Sequence, residues 1–492
     1  MPTSRSVVIG VDSSTQSTKA VVVDADTGAL LALGRAPHTV SGTAGTRESD
    51  PGEWWTALAA AVRAAVREAG VPAGSVTGIA VAGQQHGLVT LGADGHPLRP
   101  ALLWNDTRSA PQAADLASRL GGPAAWLKRT GSVPVASMTA AKWQWLRERE
   151  PERAAAVAGV RLPHDHLTEL LAGVAVTDPG DASGTCWYGT GDGAYDPDVL
   201  DLIGLDPALL PAVAPGGATP VGTLTPAAAE ALGLPRTVVV AAGTGDNMAA
   251  AVGLGLGGAG LLDHPVVSLG TSGTVFAATR ARPADPGLAG FAATDGVYLP
   301  LGCTLNCTLA VDRFATLLGL DREDAAPGGD VVVLPYLDGE RTPDLPHASG
   351  LVTGLRHGTD PRAVLGAAYE GAAFTVLRAL DQLLAACGLD PADPAVRDRP
   401  LRLIGGGARG RAWTGTVRRL SGRPLIVPAA DELVALGAAA LAAGAVTGED
   451  PVALATAWGT GSGQVLPPVE RDGATWDRIA GVLAAATPAL LS

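Results

Sequence analysis

Residues 7–23 read VVIGVDSSTQSTKAVVV. Two β-branched runs, Val7 to Ile9 and Ala20 to Val23, flank a polar turn, so the segment reads as strand, turn, strand. Residues 266–277, VVSLGTSGTVFA, repeat that pattern with Asp12 aligned to Gly270, a little over half the chain further on. Two such units, each opening a domain, predict a duplicated α/β architecture with a cleft between its halves. The boundary falls near Gly257, inside the Gly-rich stretch 253–260, giving an N-terminal domain 1–256 and a C-terminal domain 257–492.

Outward from these hairpins, short β-branched runs alternate with longer helical ones, which is the α/β signature. Val76 to Val81, Val238 to Ala242, Val331 to Leu334 and Leu401 to Ile404 read as further strands. Asp50-Pro51-Gly52-Glu53 sets a capping carboxylate, a proline at the first helical position and a Glu at the third, so a helix starts there and stops at Gly70. Asp360-Pro361 opens another that ends near Gly388, and Met138 to Arg149 is a third, stopped by Pro151.

Of 492 residues, 47% are hydrophobic and 17% charged, which describes a globular chain and excludes a disordered one. Gly (65) and Pro (37) stay below the share that marks low complexity, so they sit in turns. The net charge of −13 carries no basic run, which argues against nucleic acid or an anionic membrane as partner. A phosphate ligand would be repelled by that field unless a metal ion or backbone N–H groups hold it. The four cysteines are too scattered for a disulfide framework or a zinc site, as expected of a reduced, cytoplasmic protein. No signal peptide is read at the N-terminus, and the apolar stretch Leu433 to Val446 is shorter than the ~20 residues a bilayer needs.

Several loops could carry chemistry. Asp12 to Lys19 joins a carboxylate at a strand end to five hydroxyls and a lysine, a set that can hold phosphate oxygens and a hydrated Mg²⁺, or can serve only to satisfy a hairpin. Gly270-Thr271-Ser272-Gly273-Thr274 lets backbone approach a terminal phosphate. Gly405-Gly406-Gly407-Ala408 follows a strand and precedes a helix, where a flat ligand can lie on bare backbone. It is neither a G-x-G-x-x-G fingerprint nor a P-loop. Thr244-Gly245-Asp246-Asn247 stands at the carboxyl end of a strand, where α/β sheets bind ligands, and Asp246 there can act as a base or merely cap a helix. Gln84, Gln85 and His86 end another strand and can hydrogen-bond a polyol. In LLWNDTR, Trp104 offers an apolar wall, while Asn105, Asp106 and Arg108 offer donors and acceptors, unless Asp106 and Arg108 simply pair at the surface.

With these residues together, the chain resembles the FGGY carbohydrate kinases of the actin/Hsp70-like ATPase superfamily over nearly its whole length. Ser137 to Trp145 (SMTAAKWQW) fits the first family signature, with Lys142 and Trp145 in place, and Gly350 to Glu370 resembles the second except for Ala363. The runs AGQQHG, LLWNDTR, GTGDN, SLGTSGT and LPYLDGERTPDLP (334–346) resemble the branch that phosphorylates D-xylulose. Many of that branch have Met where this chain has Gln85. The Arg-Glu pair of the glycerol-acting branch is absent.

The resemblance implies a two-domain, ribonuclease H-like fold and ATP-dependent phosphorylation of D-xylulose. Asp246 would be the general base and Asn247 a sugar contact. Gln85 and His86 would contact the ketose, with Trp104, Asn105 and Asp106 lining its pocket. Asp12 would work with Mg²⁺, which Asp246 would also face. Thr15 and Lys19 would lie in the first phosphate turn, Gly270 to Thr274 would form the second, and Gly405 to Ala408 would receive adenosine. The implied partners are a ketopentose, Mg·ATP and a second copy in a homodimer. Two other readings stay open: a kinase of the same fold acting on ribulose, gluconate or a pentitol, and a non-kinase ATPase switch.

Overall fold

The computed structural model describes residues 6–258, 260–293, 296–343, 345 and 347–486. It divides into two compact units. Met1–Leu262, Ala289–Leu299 and Ala430–Gly461 form the first; Asp263–Leu288, Pro300–Ala429 and Ser462–Ser492 form the second. The first change of unit along the chain comes after Leu262, and two later segments return to the first unit. Ala259 in the Gly-rich stretch, and Asp344 and Pro346 in the 334–346 motif, lie outside the described residues.

The first unit is built on the opening hairpin. Strands Val7–Ser13, Ser17–Asp24 and Leu30–Pro37 run antiparallel in succession. Val76–Gly83 lies parallel on the other side of Val7–Ser13, Val239–Ala241 lies parallel beyond it, and Pro220–Thr223 closes the edge antiparallel. Alternate residues of the opening strand enter two cores. Val7, Ile9 and Val11 pack with helix Pro51–Ala69, while Val8 faces helix Leu433–Thr447. Burial on both faces is why the strand is apolar throughout. The 433–447 helix sits directly on the sheet: a Cβ at Gly10 would collide with the Ala435 carbonyl, and one at Gly437 with the Ala249 carbonyl.

Helix Pro51–Ala69 starts and stops where its sequence says: the Asp50 side chain accepts from the Gly52 N–H at 2.8 Å, and Gly70 ends it at φ 64°. Glu53, however, does not close a capping box. Its Oε2 accepts from the N–H and hydroxyl of Thr39, at 2.7 and 2.6 Å.

The second unit repeats the pairing sense of the first. Pro265–Leu269 pairs antiparallel with Gly273–Ala277, which pairs antiparallel with Tyr298–Thr304. Leu401–Ile404 lies parallel beside Pro265–Leu269, Leu425–Pro428 parallel beyond it, and Gly463–Leu466 antiparallel at the edge. The duplication read from two hairpins thus extends across six strands in each unit. Helix Pro361–Ala386 is long and apolar enough to cross a membrane by length and composition, yet Leu365, Tyr369, Phe374 and Leu383 bury it in this unit's core.

Candidate active site

In the first unit, three strand ends meet at one level. Asp12 is in register with Ala82, and Ala82 with Thr244, so the loops after Val7–Ser13, Val76–Gly83 and Thr244–Gly245 emerge side by side. This is the carboxyl edge of parallel strands, where α/β sheets place ligands. Asp12 is 4% exposed; the Ser14 hydroxyl donates to its Oδ1 at 2.7 Å. Burial raises its pKa to about 6, against the opposing pull of Ser14 and Lys19. Lys19 forms a 2.6 Å ion pair with Glu432, at the mouth of the returning 433–447 helix. Thr15 accepts a 3.0 Å hydrogen bond from the Trp104 indole, tying the first turn to the rim residue of the LLWNDTR loop.

Asp246 is the first residue of helix Asp246–Gly253. Its Oδ1 accepts from the Asn247 N–H at 2.8 Å and from Asn247 Nδ2 at 3.1 Å. The same Nδ2 donates to Gln85 Oε1 at 2.8 Å, so Asp246, Asn247 and Gln85 form one chain. Burial, then the charges of Asp12 and Asp181, raise the Asp246 pKa to about 8. Two buried carboxylates, one of which raises the other's cost of ionisation, are the kind of donor set a hard divalent cation takes.

His86 holds φ at 67°, a left-handed conformation uncommon outside glycine and frequent at functional sites. Its Nδ1 lies 2.9 Å from the Gly184 carbonyl and its ring 5.6 Å from Phe291. A Cβ at Gly184 would stand 2.5 Å from that nitrogen, so the glycine makes room for the ring. Gln85 Nε2 and Asn105 Oδ1 are buried without a hydrogen-bond partner among the described residues. Orphan polar atoms of this kind are what a polyol would satisfy.

Asp106 is placed differently from the expected pocket lining. It is 1% exposed and fully engaged, accepting from the Arg47 N–H at 2.6 Å, the Arg108 N–H at 3.0 Å and the Arg108 guanidinium at 2.8 Å. Arg108 also stacks over Trp145 at 5.0 Å, and buried Lys142 donates to the Ser137 carbonyl. The first signature therefore braces the Asp106–Arg108 pair through Trp145.

In the second unit, Gly270 to Ser272 cap the hairpin between Leu269 and Gly273. The Gly270 carbonyl accepts from the Thr308 N–H and hydroxyl, at 3.1 and 2.8 Å, which pins the turn. Gly405 lies against the same strand end: its φ is 84°, and a Cβ there would stand 2.7 Å from the Leu269 carbonyl. Gly406–Arg409 follows as a short 3₁₀ turn before helix Arg411–Ser421. Parallel pairing of Leu401–Ile404 with Pro265–Leu269 thus sets the second turn and the triglycine side by side.

Residues 7–253 match the N-terminal domain of the FGGY family of carbohydrate kinases, and residues 266–446 match its C-terminal domain. The chain belongs to the FGGY carbohydrate kinases. It is 59% identical to a Streptomyces coelicolor protein named xylulose kinase, over 98% of this chain and 97% of that protein. A xylulose kinase of Streptomyces rubiginosus is 57% identical with the same coverage. The crystal structure of a Brucella ovis xyloylose kinase superposes with a TM-score of 0.87 at 30% identity, covering 98% of this chain and 99% of that one. The two-unit α/β architecture is that of these FGGY sugar kinases, and the chain is a sugar phosphotransferase.

Three participants in this FGGY site gave no sequence signal. Glu432 meets Lys19 across most of the chain length. Asp181 bears on Asp246, and buried His164 holds Asp181 with Nδ1 2.5 Å from its Oδ2. Burial pulls His164 down, but Asp165 and Asp181 outweigh it and raise its pKa to about 9.

Proposed function

We propose that this kinase transfers the γ-phosphoryl group of ATP to the 5-hydroxyl of D-xylulose, giving D-xylulose 5-phosphate and ADP. The observation that carries the reading is Asp246: a carboxylate fixed by Asn247, linked through it to Gln85, and set two residues beyond Thr244, which lies level with Asp12. The names of the 59% and 57% identical relatives support xylulose as the acceptor.

Oδ1 of Asp246 is held by Asn247, and its other oxygen would take the hydroxyl proton as the sugar oxygen attacks phosphorus. Gln85, His86, Asn105 and Asn247 would orient the ketose, with Trp104 as a wall. Asp12 and Asp246 would hold Mg²⁺, which supplies neutralisation of charge on the β- and γ-phosphates. Thr15 and Lys19, and the turn Gly270 to Thr274, would donate to phosphate oxygens, and Gly405 to Ala408 would receive the adenosine. Because phosphoryl transfer needs little covalent help, positioning and electrostatics carry the rate. The buried free thiols Cys186, Cys307 and Cys387 fit a cytoplasmic enzyme.

A panel of pentuloses, hexuloses, polyols and aldonic acids, scored by kcat/KM, tests the assignment. D-xylulose should lead it; a higher value for ribulose, gluconate or a pentitol would replace the acceptor while keeping the chemistry.

A further inference from the structure

Gln84 directly follows the central strand Val76–Gly83 of the first unit, and its backbone N–H continues the ladder by donating to the Ser13 carbonyl at 3.0 Å. The side chain is 1% exposed, and neither Oε1 nor Nε2 has a hydrogen-bond partner among the described residues. A buried carboxamide left wholly unsatisfied carries the uncompensated desolvation cost of both its polar groups. Such a group in a native site calls for an absent ligand.

Its direction follows from the strand. Successive residues of an extended chain face opposite sides of a sheet. Gln85 turns toward Asn247 and Gly245, where the sugar contacts lie. Gln84 therefore shares the face of Ala82, whose lateral neighbours are Asp12 on one strand and Thr244, two residues before Asp246, on the other. The orphan amide stands just past the central strand, between the strand that carries Asp12 and the short strand Thr244–Gly245 that leads into Asp246, on the face away from the ketose-binding side chains.

We propose that Gln84 is a positioning residue whose carboxamide holds a water of the hydrated divalent cation bound by Asp12 and Asp246. This rests on the kinase reading above and adds a residue to it. Oε1 accepts from a cation-bound water, and Nε2 donates to an oxygen on the cation or on a phosphate it carries. The ketose stays with Gln85 and His86.

The test uses the full chain and Gln84→Met, which keeps volume and removes both polar atoms. Unfolding in metal-free buffer should show the variant as stable as the parent or more so, because the lost groups had no protein partner. Binding of Mn·ADP, followed by electron paramagnetic resonance and water-proton relaxation, should weaken about tenfold, the lower end for outer-shell groups at metal sites. Affinities for metal-free ADP and for D-xylulose should stay unchanged. Wild-type Mn·ADP affinity in the variant would overturn the proposal, as would a loss confined to D-xylulose or a midpoint lowered by several degrees. Failure of the parent itself to bind Mn·ADP would overturn the kinase reading, and the Gln84 role with it.

Discussion

Asp246→Asn separates what the carboxylate does for chemistry from what it costs the fold. Burial and the charges of Asp12 and Asp181 lift its pKa from 3.8 to about 8. A carboxyl with a raised native pKa leaves stability intact below its unfolded value. Stability is then lost as pH rises, with the loss complete above the folded value. At pH 7 a shift of that size corresponds to an upper bound of about 4 kcal/mol. Solvent reaching the partly exposed side chain reduces this to roughly 2 kcal/mol. Asparagine cannot ionise, so the variant should unfold at the parent's midpoint near pH 4 and several degrees above it at pH 8, without metal. Turnover should fall by about 10²–10⁴, while D-xylulose binding, read by calorimetry, stays within a few fold. Near-normal kcat would refute the base, and a midpoint difference that does not grow with pH would refute the electrostatics.

Asp12→Asn should raise the Mg²⁺ concentration for half-maximal rate at least tenfold and lower kcat, with D-xylulose affinity retained. Metal binding near pH 7 should also release protons, because Asp246 is largely protonated before the cation arrives; a pH-stat titration with Mn²⁺ reads this directly. Gly184→Ala would push against His86 Nδ1 from 2.5 Å, so KM for D-xylulose should rise about tenfold with KM for ATP unchanged. Gly405→Ala meets both a positive φ and the Leu269 carbonyl, at a cost of about 1–2 kcal/mol or more. It should lower the unfolding midpoint and raise KM for ATP, leaving D-xylulose binding alone.

The hairpins and the strand-end loops were legible because each is local. Val7 to Val23 carries its own strands and turn, and Asp246 and Gly405 each follow an apolar run directly. What could not be read is what distant segments bring. The helix Leu433–Thr447 is Ala- and Leu-rich on every side, so no stripe indicates which sheet it covers. The contacts of the folded chain, Gly10 against Ala435 and Gly437 against Ala249 among them, show it seated on the first unit. The Lys19–Glu432 pair follows from that return and was equally hidden. Asp106 misled for a related reason. Its neighbour Arg108 was visible, but the Arg47 N–H that completes its coordination lies on a loop far back in the chain. The sequence showed which groups were polar and near strand ends, but not which of them the fold would satisfy.

Product analysis tests the central claim most directly. The purified chain is incubated with Mg·ATP, with and without D-xylulose, and followed by ³¹P NMR. A phosphomonoester on the ketose C5 oxygen should appear in step with ADP, and almost no ADP should form without the sugar. ADP release at a similar rate in both tubes, with the γ-phosphoryl group appearing as inorganic phosphate and not as a sugar ester, would show an ATPase and contradict the account.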